Sequence, residues 1–580
     1  MILGDLYDLY ELKRESEPDA MPERFWCRKN VAWEAVIDRS GHPTSLVALA
    51  GTDDKTASLV VPDVQRTSGI RPFFLCDNAE YWLGMDDKRG AEKQVQSIAF
   101  HEDILSDVED DGAIAALLFL KQMKDASQQG LMTALREDPK GFVVLRLAGD
   151  ERYVHERGAI KSAWSRFRKK QEEGLSKGPC LVTGAQGPYA TLFPQVTGLP
   201  GAQSSGASLI SCNADAFSSY GQKTSTAGAI SADAADKSGA ALSYVLKDHA
   251  HRITMGNDYV AFWTDSTDPS VDKDLAFFLD PDALMRGEDE KARGAIQTAL
   301  AELKKGLPPV SIPEGTQYHL LGIAPYQARL AVRFYETGSL GDLQRQVTQF
   351  LKDTEIIGAK PCSLRSYLDQ TAAQVDSKNV PMTLITPCMR ALVRGTSFPV
   401  SLQQKIIARL RADHGSVNSR DMGRRAAILK ACLIRKARAI GFERGREMER
   451  RLTVGLNREN DNQGYLLGRL FALLEKVQQD AIGGANATIR DRFMGAAATT
   501  PARVYPQLLK LAQHHISKSE YGVLIDRQVR EVIGRLGDEG FPKTLGLDDQ
   551  GMFYIGYYQQ KQALYQQRTS DKSSGDSQEG

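Results

Sequence analysis

The chain has 580 residues, more than one hydrophobic core usually serves, so we expect two or more domains. Its 73 basic and 73 acidic residues balance, so only the distribution of charge can bear on nucleic-acid binding. The 7 cysteines form no C-x-x-C pair, which argues against a zinc ribbon or a thioredoxin-like site and suits a reduced cytoplasm. Since no apolar run could span a bilayer and the N-terminus lacks the basic start of a signal peptide, we expect a cytoplasmic protein without a membrane segment.

Residues 1–400 mix strand-like and helix-like segments, which predicts an α+β domain. Residues 319–324 and 328–335 are predicted strands, and apolar side chains alternate along the second. Residues 265–290 are rich in Asp and Pro and predict a loop or an insertion. Three segments have helical spacing: 112–125, 292–306 and 340–353.

From residue 401 onward the pattern is helical, so residues 401–567 are predicted to form an all-α bundle. One apolar stripe runs from Tyr465 to Val477. Thr500-Pro501 indicates a helix start, because Thr can cap a helix and Pro fits its first turn. The polar residues 568–580 predict a disordered tail. The predicted fold class is therefore α+β, with a mixed N-terminal α/β region followed by a C-terminal all-α helical bundle.

Basic residues concentrate in two segments. Residues 401–458 hold fifteen Lys or Arg against five Asp or Glu, and residues 152–170 hold seven against one, with Trp164 and Phe167 between them. In one interpretation, these segments form a groove that follows a phosphate backbone, and the aromatic rings stack on bases. In the other, the basic residues form a solvated helix face and the aromatic rings belong to the core. The candidate contacts are Arg157, Lys161, Arg166, Arg168, Lys169, Arg424, Arg425, Arg435 and Lys436.

A Gly- and Ser-rich stretch from Gly198 to Gly221 would leave backbone N–H groups uncovered and admit another backbone closely. It has the outline of a P-loop, but Ala207 stands where the lysine is needed, so nucleotide hydrolysis is not expected. A nucleic-acid contact and a flexible surface turn remain as alternatives. The side chains that could contact phosphate, sugar or base edges are Gln203, Ser204, Ser205 and Asn213.

Two further features have a functional and an ordinary interpretation. Asn78 follows a predicted strand, where it could contact a base edge or cap a turn. His249 and His251, with Asp258 and Asp265 nearby in sequence, could hold a metal in a nuclease, although H-x-H pairs are usually accidental. The chain has no His-Asp dipeptide and no H-E-x-x-H, so we expect no catalytic residue, metal or cofactor.

Seven long and unusual segments resemble the large subunit of the type I-C CRISPR surveillance complex, Cascade, of the Csd family. They extend from one end of the chain to the other: Met1–Tyr7, Pro72–Gly84, Gly201–Phe217, Leu466–Glu475, Asn486–Arg492, Thr500–Tyr505 and Asp549–Tyr558.

The resemblance implies a non-catalytic subunit in antiviral defence. Such a subunit contacts the crRNA 5′ handle and the backbone subunits, recognises the protospacer-adjacent motif (PAM) on double-stranded DNA and promotes R-loop formation. It also holds the displaced non-target strand and helps to recruit the helicase–nuclease. Residues 1–400 would carry PAM recognition with the handle and backbone contacts, and residues 401–567 would hold the strand.

The resemblance also implies a second product of the same gene. In this subtype the C-terminal helices are made separately as the small subunit, from an internal start. Met448 is the predicted start in this chain, and Met422 is the next choice.

Overall fold

The computed structural model describes most of the chain. Outside the described residues lie 19, 50–55, 64–68, 86–87, 124–134, 136–139, 213, 218–227, 287–289, 308–312, 314, 414–417, 483–487, 520, 538–539 and 576–580, together with the side chains of 292 and 566–575. The chain forms two compact units: unit 1 comprises Met1–Asp248 and Pro325–Ala331, and unit 2 comprises His249–Ala324 and Val332–Gly580.

Unit 1 combines short strands with helices. Its helices are α1 (Ile2–Ser16), α2 (Ala79–Trp82), α3 (Gly90–Leu105), α4 (Asp111–Gln122), α5 (Gly158–Glu173) and α6 (Ala232–Lys247). Its strands are β1 (Trp26–Val31), β2 (Trp33–Ile37), β3 (Pro43–Ala48), β4 (Ala57–Pro62), β5 (Cys76–Asn78), β6 (Phe142–Leu147), β7 (Lys177–Pro179), β8 (Gln186–Pro188), β9 (Gln195–Val196) and β10 (Ala207–Ser208).

The main sheet of unit 1 has the strand order β3-β2-β6-β5. Strands β2 and β6 are parallel, with Trp33 opposite Val143, and the other pairs are antiparallel. Apolar residues of this sheet share a core with α3, α4 and α5, in which the rings of Phe74 and Trp164 stack at 5.0 Å. Strands β1 and β4 form a separate antiparallel ribbon. Helix α1 packs along α6, which places the start of β1 beside α6.

Unit 2 alternates strands and helices up to Ser339 and continues as helices. Its strands are β11 (Arg252–Met255), β12 (Asp258–Thr264), β13 (Gln317–Tyr326) and β14 (Arg329–Ser339), adjacent in that order. Its helices are α7 (Pro269–Leu279), α8 (Pro281–Leu284), α9 (Glu290–Lys304), α10 (Leu340–Asp353), α11 (Leu364–Asp369), α12 (Met382–Arg394), α13 (Val400–Ala412), α14 (Ser419–Ile440), α15 (Phe442–Arg451), α16 (Gln463–Ala481), α17 (Ile489–Ala497), α18 (Pro501–Ile516), α19 (Gly522–Gly534) and α20 (Leu547–Gly575).

The predicted fold class is confirmed, since strands and helices come first and an all-helical region follows. Helix α10 begins and ends at the predicted residues. The loop predicted at 265–290 is wrong, because this segment contains α7 and α8. The carboxylate of Asp268 accepts the N–H of Ser270, and Pro269 and Pro281 occupy first helical turns, so the Asp and Pro residues are helix-start signals.

Two boundaries were predicted in the C-terminal part of the chain, a domain boundary near residue 400 and the start of a tail at residue 568. The predicted domain boundary near residue 400 lies inside unit 2, where one hydrophobic core includes residues from Ile253 to Tyr558. Helix α20 extends to Gly575 and so includes the first part of the predicted tail, while residues 576–580 lie outside the described chain. None of the described helices combines the length and the apolar character that a membrane crossing requires.

Helices α16 and α20 of unit 2 approach each other closely, and glycines make this approach possible. A Cβ added at Gly468 would overlap the carbonyl oxygen of Phe553, and one added at Gly556 would overlap the carbonyl oxygen of Tyr465. Since the neighbouring atoms are backbone, no side-chain rotation could relieve either overlap. The short distance between the helices lets Tyr465, Phe471 and Tyr557 pack between them.

We expect Gly468→Ala to lower the free energy of unfolding by about 3 kcal/mol or more, because the two helix backbones must separate. Gly294→Ala is the matched control, since Gly294 also lies within a helix but has no atom near its added Cβ. This control should leave stability unchanged or raise it by up to about 1 kcal/mol through helix propensity. Urea unfolding followed by circular dichroism measures both, and equal midpoints for the two variants would contradict the packing argument.

Candidate nucleic-acid interface

A cavity of about 780 Å³ lies within unit 1. Residues 20–29 at the start of β1, Arg168 of α5, part of the Gly- and Ser-rich stretch and one side of α6 line it. It brings together Arg168, Ser204 and Ser205, three predicted site residues from two separate segments. We call it the basic cavity, after the six basic side chains that line it: Arg24, Arg28, Lys29, Arg168, Lys237 and Lys247.

Four acidic side chains also line the basic cavity, so positive charge is in excess by two, six basic against four acidic: Glu23, Asp63, Asp236 and Asp248. Aromatic side chains, including Trp26 and Tyr244, complete its wall. A volume of this size accommodates a few nucleotides or a loop of a larger ligand. The chemistry of the lining therefore suits a ligand that combines phosphates with flat rings.

Two arginines of the cavity are held by internal partners. Arg24 Nε donates to Asp236 at 2.9 Å, and its other nitrogens donate to Glu172. Burial raises the pKa of Asp236 to about 6, although the Arg24 charge opposes this change. Arg168 donates to the carbonyl oxygen of Asp63, and its guanidinium lies 4.9 Å from the ring centroid of Phe25. Arg24 and Arg168 thus shape the wall of the cavity.

The outer part of the cavity carries more accessible charge. Arg28 and Lys247 are exposed, and Lys247 ends helix α6. The Lys29 ammonium lies 3.8 Å from the ring centroid of Phe73 and 3.9 Å from that of Phe142, which fixes its position. Sequence patterns did not single out these residues, because Arg28 and Lys29 stand in a strand of mixed composition and Lys247 ends a helix, none of them in a run of basic residues.

The Gly- and Ser-rich stretch contributes a short turn to the cavity wall. Gly201 and Gly206 have φ values of +90° and +103°, which favour glycine. The N–H of Gln203 donates to the carbonyl of Gln327, and Gln203, Ser204 and Ser205 expose their side chains. The predicted Asn213 lies outside the described residues.

The basic run on and before α5 divides into exposed and structural residues. Lys161, Arg166 and Lys169 are exposed. Arg157 is half-buried and pairs with Asp110 at 2.7 Å and with Asp150, so it holds the fold of unit 1. Trp164 is fully buried, and Phe167 packs against the same core, which excludes base stacking by Trp164 in this structure.

Asn78 is also buried, with 8% of its surface exposed. It occupies the N-cap position of α2 without a side-chain capping bond, and its Oδ1 accepts no hydrogen bond from the described residues. Neither of its two predicted roles, at a base edge or as a turn cap, is therefore visible in this conformation.

Two of the four basic candidates of unit 2, Arg425 and Arg435, lie in its interior. Arg425 is 1% exposed and pairs with Asp413 at 2.7 Å; Arg435 is 3% exposed and pairs with Asp353 at 2.9 Å. Burial lowers the pKa of both guanidiniums, against the opposing charge of Asp421 at Arg425 and of Asp353 at Arg435. Arg424 is half-buried, and Lys436 pairs with Asp548 at 2.6 Å. The buried arginines hold α14 in place and cannot contact DNA without unfolding it.

Other basic residues of the same segment are exposed. Those that make no ion pair with a described residue are Lys405, Arg411, Arg420, Arg444, Arg446, Arg450 and Arg458. All seven lie in the basic segment 401–458 that the sequence indicates, but the predicted contacts were the adjacent pairs, although the apolar residues beside Arg425 and Arg435 signal burial. The exposed set is the better candidate for a phosphate-binding surface.

The histidine pair does not form a metal centre with its predicted aspartates. His251 is buried and its Nδ1 lies 3.2 Å from the carbonyl oxygen of Phe262, while Asp258 pairs with Arg333. His249 Nδ1 lies 3.2 Å from Arg252. Within the described part of the chain, no group of three His, Cys, Asp or Glu side chains is placed to hold a metal ion.

The family model described as CRISPR-associated protein (Cas_Csd1) matches residues 6–565. No curated protein matches the chain. The family match includes residues of both units, so the shared pattern is that of nearly the whole chain and not of one motif.

We expect Arg435→Gln to lower the free energy of unfolding by about 3–5 kcal/mol, because it leaves the buried Asp353 carboxylate with less compensation. Arg411→Gln, which changes an exposed arginine on α13, should be close to neutral. Thermal unfolding compares the two variants. An Arg435→Gln protein as stable as the Arg411→Gln control would show that this buried pair does not hold α14.

Proposed function

The chain belongs to the CRISPR-associated Csd1 family, and on that premise we propose that it is the large subunit of a type I-C crRNA-guided surveillance complex. In this role it recognises the PAM on double-stranded DNA, promotes R-loop formation and holds the displaced strand. Its partners are crRNA, the Cascade backbone and handle subunits, a small subunit from internal translation and a helicase–nuclease. The proposal assigns it a non-catalytic role in antiviral defence in the cytoplasm.

The basic cavity is the observation that carries this proposal. Arg168, Ser204 and Ser205, from separate segments, meet there beside exposed cations and aromatic rings. RNA-guided complexes leave most of the sequence to base pairing and need protein contacts to only a short duplex motif, so a small site suffices. In our proposal Arg28 and Lys247 position the phosphate backbone, and the Ser204–Ser205 turn approaches the base edges.

Unit 2 would hold the displaced strand through its exposed cations. Single strands bind to positive surfaces with little sequence preference, as a displaced strand of any sequence requires. Arg411, Arg420 and the exposed arginines of α15 supply that charge, whereas Arg425 and Arg435 are excluded by burial.

A metal-dependent nuclease that uses His249 and His251 is the competing function. We do not adopt it, because the Nδ1 of the buried His251 faces a backbone carbonyl and Asp258 pairs with an arginine. Cleavage assays with added Mg²⁺ or Mn²⁺ would distinguish the two functions, since a non-catalytic subunit leaves DNA intact under both conditions.

We expect Arg28→Gln combined with Lys247→Gln to weaken binding of the assembled complex to a target duplex with a correct PAM. Each lost phosphate contact should reduce the log–log salt slope by about 0.9. Ser204→Ala should lower discrimination between correct and incorrect PAMs while the salt slope holds. Lys305→Gln, an exposed lysine of unit 2, is the matched control. Unchanged slopes in a folded double variant would remove the basic cavity from DNA binding.

We also propose that the gene yields a second protein from its C-terminal helices. Helices α16 to α20 pack on one another, and Met448 lies in α15, just before them. Tyr558 of α20 also packs on Gly423 of α14, so a product that starts at Met448 would uncover this face, whereas one that starts at Met422 would keep it covered.

Intact-mass analysis of the complex, purified with the native gene, should therefore show a C-terminal product that begins at Met448 or Met422. Synonymous changes in the ribosome-binding sequence upstream of these codons should remove it without changing the full-length chain. If such changes alter neither subunit composition nor interference, this chain has no internally started partner.

A further inference from the structure

Helix α15 presents an aromatic and basic stripe to solvent. Phe442, Arg446 and Arg450 are spaced four residues apart, so their side chains follow one another at about one helical turn, or roughly 6 Å. All three are exposed. Phe442 is 89% exposed, the highest value for a large hydrophobic side chain within the described residues. The stripe contains no acidic residue.

The backbone at Phe442 is strained. Its φ is +51°, and the preceding Gly441 has a φ of +62°. These two residues turn the chain from α14 directly into α15. Glycine or asparagine would occupy the second position at lower cost, since bulky side chains disfavour the left-handed region. Core packing does not explain this phenylalanine because its ring is exposed, so a surface role is needed to account for it.

Contacts of Gly445 and Glu449 hold α15 firmly against α14. A Cβ at Gly445 would overlap the carbonyl oxygen of Ala437, so the two helices touch through backbone. Arg438 of α14 pairs with Glu449 at 2.7 Å. The ring of Phe442 is therefore presented on a fixed platform, which reduces the entropy lost when a ligand binds.

The charge around the stripe is positive. Glu449 pairs with Arg438, and Glu447 pairs with Arg451 at 2.7 Å. Glu443 is then the acidic residue of α15 without an ion pair to a described residue. Three arginines of the helix likewise make no such pair, so positive charge is in excess: Arg444, Arg446 and Arg450.

We infer that this stripe binds single-stranded nucleic acid, with an unpaired base stacked on Phe442 and the adjoining phosphates on Arg446 and Arg450. A single strand is favoured over a duplex, because only unpaired bases offer an open face to an aromatic ring. It is favoured over a protein partner because charged arginines, and not further apolar side chains, continue the stripe beyond the ring. The inference rests on the proposed function, in which the displaced strand is the ligand.

The position of the stripe adds a consequence. Phe442 and Arg446 precede Met448, so a C-terminal product that starts at Met448 would lack the aromatic platform. The full-length chain alone would then provide this stacking site in the complex, while the shorter product would contribute charge from Arg450 onward.

Binding of a fluorescein-labelled oligo-dT to the purified full-length chain, followed by anisotropy, tests the inference. Phe442→Ala should weaken binding by about 5- to 100-fold, the effect expected for one lost stacking contact. Phe442→Trp should retain affinity, and the fluorescence of the added tryptophan should be quenched by the oligonucleotide. Arg446→Gln and Arg450→Gln should each reduce the salt slope by about 0.7.

Val523→Ala is the matched control, since Val523 is 87% exposed on a different helix and should leave binding unchanged. Oligo-dT binding by Phe442→Ala within twofold of the wild type would overturn the inference. So would an equal loss in the Val523→Ala control, or a Phe442→Ala defect confined to association with another protein subunit.

Measuring the affinity of the assembled complex for a PAM-bearing duplex separates this inference from the proposed function. If the wild type binds both probes and Phe442→Ala binds both normally, the inferred stacking site is refuted and the proposed function stands. If the wild-type chain does not bind oligo-dT and its complex does not recognise the PAM duplex, the proposed function fails as well.

Discussion

The close approach of α16 and α20 is the constraint on which unit 2 depends. Gly468 and Gly556 let the two helix backbones touch, and any side chain at either position would force them apart. Contact at this distance also completes a polar seam between the helices. The hydroxyl of Tyr465 donates to Gln559 at 2.6 Å, and that of Tyr557 donates to Glu475 at 2.6 Å. Buried polar groups are stable only when paired, so the seam requires the spacing that the glycines provide.

Helix α14 extends this arrangement with buried cations. Arg435 and Arg438 share the carboxylate of Asp353, and Lys430 donates to the Asp353 carbonyl oxygen at 3.1 Å. Burial lowers the pKa of Lys430 to about 8, with the negative charge of Asp353 opposing. Such networks stabilise little beyond a well-packed apolar core, but they impose one arrangement because each displaced partner leaves a buried charge. The helix can therefore serve as a fixed base for α15 and its exposed residues.

In each unit, the arginines of the interior have a different role from the cations at the surface. In unit 1, Arg24 and Arg168 are held by acidic and carbonyl partners and by the ring of Phe25, and they form the wall behind more exposed cations. In unit 2, Arg425 and Arg435 are buried, while the arginines of α15 face solvent. A proposed phosphate-binding role therefore depends on the environment of each arginine and not on its presence in a basic run.

The sequence by itself determined the fold class, the bounds of helix α10, and the family. Helical and strand periodicity are local, and long motifs survive in a single chain, so neither needs tertiary contacts. Only the tertiary structure decided that Arg425, Arg435 and Trp164 belong to cores, and that Arg28 and Lys29 line the same cavity as Ser204. The start of β1 and the Gly- and Ser-rich stretch are more than 160 residues apart along the chain, as positions 29 and 204 show. Convergence of this kind arises from packing between distant segments, which no local pattern encodes.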